Sequence, residues 1–417
     1  VSMTVIDSTK TSVHKQIPTP EPGLTVDDFL ARARGLRDRL REEQADTERR
    51  TRYSPEMHEE FVRLGFYRML QPAALGGYEL SIKDFLRVIV EVGRGCPSTA
   101  WCLCLGSAHV VNLAGLFDAD VQAAVMGADG HFIAPSRVVP SVTATPVDGG
   151  WELNGLWDYC SGVPYSTHVF NAVMIMPTDG GRPHPGLALV PRDKYEILDD
   201  WGTLIGLKGS GSNSVKVDHC VVDHGYVLDI DINAIRPDQT YGLELYGNPM
   251  YIGPIQPFFF AELLAVALGM TKAMFDEFAA TMPVKKTMWP PMAVRAEDSF
   301  YRQWYGEATT LIDQAEACLL SVTAAYAQLC DESAATGRSI TIAENQRLVS
   351  LAIQAGKVLT EAMDLMARVT GSSAMKDGTR TQRYWRDFTM YRSHVAQTIR
   401  EATASGYAVA ALAEANA

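Results

Sequence analysis

From Ile255 onward, apolar residues recur at helical spacing in four long segments, about 255–281, 296–334, 341–370 and 379–413. In the second, Phe300, Trp304, Leu311, Cys318, Val322, Tyr326 and Leu329 mark one face. Helices this long with short connections can bury such faces in few ways, and the spacing predicts an antiparallel four-helix bundle. A surplus apolar stripe predicts burial against further copies of the chain. Between Phe132 and about Val227 the period changes to two. Short alternating segments there are separated by Asp148-Gly149-Gly150, Asp179-Gly180-Gly181, His184-Pro185 and Asp199-Asp200. Upstream the signals are helical again. Ser54-Pro55 opens one helix and Gly65 ends it, Ser81 and Asp84 form a capping box, and Ser98 opens an apolar helix. The expected class is α+β: an N-terminal helical domain at 24–131, a β-barrel-like domain at 132–234 and the bundle at 235–417. Residues 1–23, with prolines at 18, 20 and 22, read as a flexible tail.

Composition narrows the function classes. A net charge of −12 argues against a nucleic-acid surface. The seven cysteines are scattered, with no C-x-x-C, which predicts reduced thiols, no metal site and a cytoplasmic setting. Residues 1–23 show no apolar signal-peptide core. The run Phe258–Met270 is too short to span a membrane and carries Glu262. No G-x-G-x-x-G lies between a strand and a helix, so no nicotinamide site is expected.

Two stretches carry the chemistry. Trp151–Gly162, WELNGLWDYCSG, reads as a strand, a turn at Asn154-Gly155, and a second strand ending at Ser161-Gly162. Trp157 and Tyr159 put flat rings on one face, which suits a core or a cofactor wall. Some 40 residues on, Trp201–Val215 reads WGTLIGLKGSGSNSV, and strand alternation then resumes. Gly209 to Asn213 form a turn rich in donors, which by itself reads first as a solvated hairpin loop and also suits an anion or a heterocycle edge.

Together these stretches resemble the central domain of the acyl-CoA dehydrogenase fold. The closer resemblance is to its flavin-dependent monooxygenase branch, the oxygenase components of two-component aromatic hydroxylases of the p-hydroxyphenylacetate hydroxylase type. That branch reads G-x-W-x-(F/Y)-x-S-G, a tryptophan, then L-G-x-(K/R)-G-(S/T)-G-S. Here these are Gly155–Gly162, Trp201 and Ile205–Ser212, with isoleucine in the leucine position.

The resemblance implies a set of roles. Trp157, Tyr159, Ser161, Gly162, Trp201, Ser210, Gly211 and Ser212 would bind flavin. Lys286 and Trp289 match the spacing of an arginine and an aromatic that hold flavin phosphate and ring in related proteins, with lysine for arginine. They also read as part of a solvated basic turn. His394 follows the family's Arg-Asp pair, here Arg386-Asp387, and would face the substrate as a base. His109, on the apolar helix, would support it or else be a core residue. Ser161 would stand near flavin N5, and Ser136 near a substrate phenol or carboxylate. Reduced FMN, or FADH2, would come from a separate NAD(P)H:flavin reductase and react with O2 to give a C4a-hydroperoxide that hydroxylates an aromatic substrate. A homotetramer is the family's expectation. A sibling oxygenating nitrogen or sulfur, or an acyl-CoA dehydrogenase, are the alternatives. The latter needs a carboxylate base, and the run YRSHVAQT after the Arg-Asp pair offers imidazole instead.

Overall fold

The structure, a computed structural model, describes residues 17–126, 130–230 and 240–416. Most of the expected tail, and part of the loop before Ile255, lie outside these residues. Seven helices come first: α1 (Val26–Glu42), α2 (Gln44–Arg50), α3 (Pro55–Arg63), α4 (Ile82–Gly95), α5 (Pro97–Ser107), α6 (Val110–Leu116) and α7 (Ala119–Met126). The starts of α3 and α4 follow the sequence signals, whereas the apolar helix expected to open at Ser98 starts at Pro97 and is divided into α5 and α6, with His109 between them. Ser54 caps α3 by accepting from Met57 N, with Pro55 at the first helical position, and Ser81 caps α4 by accepting from Asp84 N.

The β-domain is one sheet of seven strands: β1 (Val142–Val147), β2 (Gly150–Trp157), β3 (His168–Ile175), β4 (His184–Pro191), β5 (Glu196–Ile197), β6 (Val215–Asp223) and β7 (Val227–Leu228). Their order is β5-β6-β2-β1-β3-β4-β7, and among the described residues only β1 and β3 run parallel. The barrel-like expectation is met by a curled sheet with β5 and β7 at its edges. The turn expected at Asn154-Gly155 is absent. β2 runs straight through it, and the register against β6 slips between Leu153 and Gly155. Gly155 has φ +138°, open to a residue without Cβ, so the Asn-Gly pair makes a bulge instead of reversing the chain. The reversal lies at 148–149, between β1 and β2.

After α8 (Gly242–Tyr246), the bundle comprises α9 (Ile255–Thr281), α10 (Ser299–Thr336), α11 (Ile342–Thr370) and a fourth segment in pieces: α12 (Arg380–Arg392), α13 (Val395–Thr398) and α14 (Arg400–Ala415). The uninterrupted helix expected over 379–413 therefore breaks at Ser393-His394. The Pro97–Leu116 and Ile255–Thr281 stretches are apolar and long enough to cross a membrane, but 100% and 78% of their most apolar windows are buried inside the protein. They are the central helices of the core.

Burial divides the molecule into two cores. The N-terminal helices and the bundle share one, from Phe29 and Phe85 through Leu264 and Met270 to Phe388 and Tyr391. The sheet has its own, around Val142, Leu153, Trp157, Val173, Val190 and Val217. β3 is buried on both faces because Phe170 and Ala172 point to the helical core while Val169 and Val173 point to the sheet's.

The loop of residues 198–214 is pinned to α12. Asp387 Oδ1 accepts from Leu207 N at 2.6 Å, and Arg386 Nη1 donates to Ile205 O at 2.7 Å. Arg386 Nη2 also reaches Glu48 Oε1 on α2 at 2.8 Å, so all three parts meet here. The intervening Gly206 lies so close to α12 that a Cβ would fall 2.1 Å from Arg386 O. Gly206→Ala should push the loop off α12 and lower stability by about 1–3 kcal/mol, read as a lower denaturation midpoint. An unchanged midpoint would contradict this packing.

Candidate active site

The pinned loop forms one wall of a cavity of ≈ 330 Å³. Trp101 from α5, Arg137, Tyr159 and Ser161, Trp201, Leu207, Ser210 and Ser212, and Met390, Ser393, His394 and Val395 line it. The two motif stretches therefore converge, with helices from both ends of the chain closing the space. No carboxylate belongs to this lining among the described residues, and Arg137 is its charged member.

Backbone strain concentrates here. Tyr159 has φ +56° and Leu207 φ +48°, costly for bulky side chains and tolerated where surrounding structure enforces them. Leu207 is enforced by Asp387, and its carbonyl accepts Trp201 Nε1 at 3.2 Å. The Tyr159 turn ends β2 and leaves the ring 49% exposed, edge-on to Trp201 at 5.5 Å and 80°. On the far side Trp101 Nε1 donates to Ser161 Oγ at 3.0 Å, and Ser161 Oγ is 2.7 Å from Ser212 Oγ.

His394 owes its position to the break in the last helix. It caps α13, with Nδ1 accepting from Ala396 N at 3.2 Å. A backbone N–H can only donate, so Nδ1 is bare and the neutral ring carries its proton on Nε2. Burial, and then the Arg137 guanidinium, pull its pKa down to about 4. The ring lies edge-on to Trp101 at 5.7 Å. His394 at neutral pH is thus a hydrogen-bond donor through Nε2, and the base role expected of it does not fit this tautomer.

Other expected site residues are placed elsewhere. Trp157 is fully buried in the sheet's core, its Nε1 donating to Ala172 O at 2.7 Å, so it packs and does not wall a ligand. Tyr159, expected on the same face, lies past the strand's end instead. Gly162 and Gly211 are turn residues outside the lining. Gly162 N donates to Ser210 O and Gly211 O, and Gly211 N to Thr51 O, so neither N–H is free for a ligand. His109 lies outside the lining too: it is 4% exposed, its Nδ1 donates to Ala134 O at 2.7 Å, and burial lowers its pKa to about 4. Ser136 is half-buried beside Arg137 but not in the lining. Lys286 and Trp289 sit on the 283–294 loop, where Lys286 bridges Val294 and Trp289 is 83% exposed. Neither reaches this chain's cavity.

Trp101 and Arg137, with Met390, Ser393 and Val395 beside His394, are contributors that sequence reasoning missed. An aromatic in an apolar helix reads as core, and an arginine among strands reads as surface. Arg137 is held by Nε donating to Asp158 Oδ1 at 2.9 Å. A deeply buried carboxylate, Glu262, lies in α9 at 1% exposure, near Cys104 and Tyr326. Burial pushes its pKa well up, and its Oε2 has no hydrogen-bond partner among the described residues. It does not line the cavity.

Comparisons with known proteins agree with this fold. Sequence models of the acyl-CoA dehydrogenase N-terminal domain and C-terminal domain match residues 28–119 and 262–398, together more than half the chain. The oxygenase subunit HsaA, a flavin-dependent monooxygenase of Rhodococcus jostii (strain RHA1), is 28% identical over 370 residues, covering 88% of this chain and 94% of that protein. The oxygenase component of p-hydroxyphenylacetate 3-hydroxylase from Acinetobacter baumannii is 25% identical, covering 79% of this chain and 76% of that one. The crystal structure of 3-HSA hydroxylase from Rhodococcus sp. RHA1 superposes with a TM-score of 0.83 at 27% identity, over 93% of this chain and 97% of that one. Family models, relatives and matched structure converge: the chain belongs to the acyl-CoA dehydrogenase superfamily, in its flavin-dependent monooxygenase branch.

Proposed function

We propose that the protein is the oxygenase component of a two-component flavin-dependent monooxygenase that hydroxylates a phenolic or other aromatic substrate. The observation that carries this reading is the cavity itself: aromatic walls, hydroxyl and N–H donors, one cation and no carboxylate in its lining among the described residues. That set suits the flat face and polar edge of a reduced isoalloxazine. It lacks the base that α-proton abstraction from an acyl thioester needs.

Trp101, Tyr159 and Trp201 would hold the ring and exclude water, with Ser161, Ser210 and Ser212 at its polar edge. Reduced flavin, when bound, supplies the activation of dioxygen for transfer of one oxygen atom. The chain's own groups prepare the substrate. His394 Nε2–H donates to the substrate oxygen, and the Arg137 charge beside it favours that oxygen as phenolate. Ser136 and His109 act at most from behind these residues. Lys286 and Trp289 are exposed on their own chain, which supports their reaching the cavity of another copy in a homotetramer. Dependence on a lysine for phosphate favours FMN. Reduced flavin comes from a separate NAD(P)H:flavin reductase, and seven free cysteines support a cytoplasmic site of action.

Incubation with a flavin reductase, FMN, NADH, ¹⁸O₂ and a panel of phenols should yield a product gaining one ¹⁸O atom, detected by mass spectrometry. The chain alone with FMN should not oxidise NADH. Product without ¹⁸O, or bleaching of bound oxidised flavin by an acyl-CoA, would overturn the reading.

His394→Ala should lower hydroxylated product by roughly 10²-fold while oxygen consumption continues as hydrogen peroxide. Because folding lowers the pKa of His394 to about 4, the ring stays neutral as pH rises from 5 to 8. The wild-type pH profile should therefore show no ionisation near 6.5 that His394→Ala abolishes, and any limb from this ring should fall near pH 4.

A further inference from the structure

Beside the cavity three hydroxyls stand in a row. Ser161 Oγ is 2.7 Å from Ser212 Oγ, which is 2.7 Å from Ser210 Oγ. The row is anchored at one end by Trp101 Nε1, 3.0 Å from Ser161 Oγ. The three serines are 8%, 3% and 1% exposed, yet all line the cavity. The loop carrying Ser210 and Ser212 is held from behind, with Ser210 N donating to Leu207 O and Gly162 N to Ser210 O.

Proton counting decides what such a row can do. An indole N–H only donates, so one lone pair of Ser161 is always filled. Each hydroxyl has one proton and two lone pairs. In the first arrangement Ser210 donates to Ser212 and Ser212 to Ser161. Both lone pairs of Ser161 are then occupied, and its own proton is left for the cavity: Ser161 is purely a donor. In the second, Ser161 donates to Ser212, its proton is used, and one lone pair faces the cavity: Ser161 is purely an acceptor. The two differ by rotation of C–O bonds, without heavy-atom movement and without transfer of any proton.

We propose that the Ser210–Ser212–Ser161 row is a polarity switch that lets Ser161 serve both redox states of one ring nitrogen, with Ser212 and Ser210 as positioning residues. The ligand chemistry is a nitrogen that carries hydrogen when the ring is reduced and a bare lone pair when it is oxidised. This rests on the flavin reading above and deepens it, because N5 of the isoalloxazine is such an atom. Ser161 accepts from the reduced ring and donates to the oxidised one. The asymmetry follows from where the strain falls when Ser212 is missing. As donor, Ser161 loses only an incoming bond. As acceptor, it is left with a buried proton that has no partner, the more costly defect.

The test is the affinity of the full-length protein for oxidised and for reduced FMN, the latter measured anaerobically, with the ratio of the two as the readout. Ser212→Ala should weaken reduced FMN relative to oxidised by roughly tenfold. For a two-electron couple that lowers the potential of bound flavin by about 30 mV. Ser212→Thr, which keeps the hydroxyl, should restore the wild-type ratio. Ser210→Ala should move the ratio the same way by less, and it reads the same quantity if Ser212→Ala does not fold. Equal weakening of both forms in Ser212→Ala, with the ratio unchanged, would overturn the switch while leaving the flavin reading intact. Failure of the wild-type protein to bind either form of FMN or FAD would overturn that reading and the switch with it.

Discussion

The clamp between α12 and the 205–207 segment is the contact on which the site depends. Two adjacent residues make it in different ways. Arg386 takes the Ile205 carbonyl and Glu48 together, while Asp387 turns inward and receives the Leu207 amide. Burial raises the Asp387 pKa to about 7, so keeping this carboxylate inside is costly and the backbone N–H offsets part of that cost. In return Leu207 is held at positive φ, its carbonyl is aimed at Trp201, and the serine-rich turn behind it is set against α5. A main-chain approach as close as that of Gly206 to Arg386 O leaves the loop one position. The site is therefore built on rigid backbone although its residues come from loops.

The same tight packing sorts the polar residues. His109 and Trp157 both bond to backbone carbonyls inside a core, and both are spent on structure. His394 and Trp101 are buried too, but each keeps a face to the cavity. What distinguishes them is the chain break at Ser393-His394. A helix continuing through residue 394 would use the Ala396 amide for an intrahelical bond. The break gives that amide to His394 Nδ1 and thereby fixes which nitrogen faces outward with a proton. A local capping interaction thus sets a tautomer, and the tautomer sets whether the residue can give or take a proton.

Much of the architecture is legible along the chain because its causes are local. Helical spacing from Ile255 onward, alternation between 132 and 227, and the Ser54-Pro55 and Ser81 starts each report a periodicity or cap that needs only neighbours in sequence. The convergence of Tyr159 and Ser161 with Trp201, Ser210 and Ser212 was also readable, through paired motifs of a recognisable family. Asn154-Gly155 shows the limit of such signals. The pair permits unusual backbone, but whether that becomes a reversal or a bulge depends on β6, more than 60 residues away. Trp101 and Arg137 show the limit from the other side. Nothing near them in sequence distinguishes a lining residue from a packed or solvated one.

The sequence by itself determined the order of helical and β regions, the two cofactor-suited stretches and the absence of a carboxylate in the run after Asp387, since each depends on residue type and spacing. Only the tertiary structure decided that Trp157 faces a core while Tyr159 faces a cavity, that His394 presents a donor nitrogen, and that Lys286 and Trp289 lie outside the lining of their own chain's site. Those outcomes depend on which surfaces meet in three dimensions and on where each buried donor and acceptor finds its partner, and that is fixed by long-range packing.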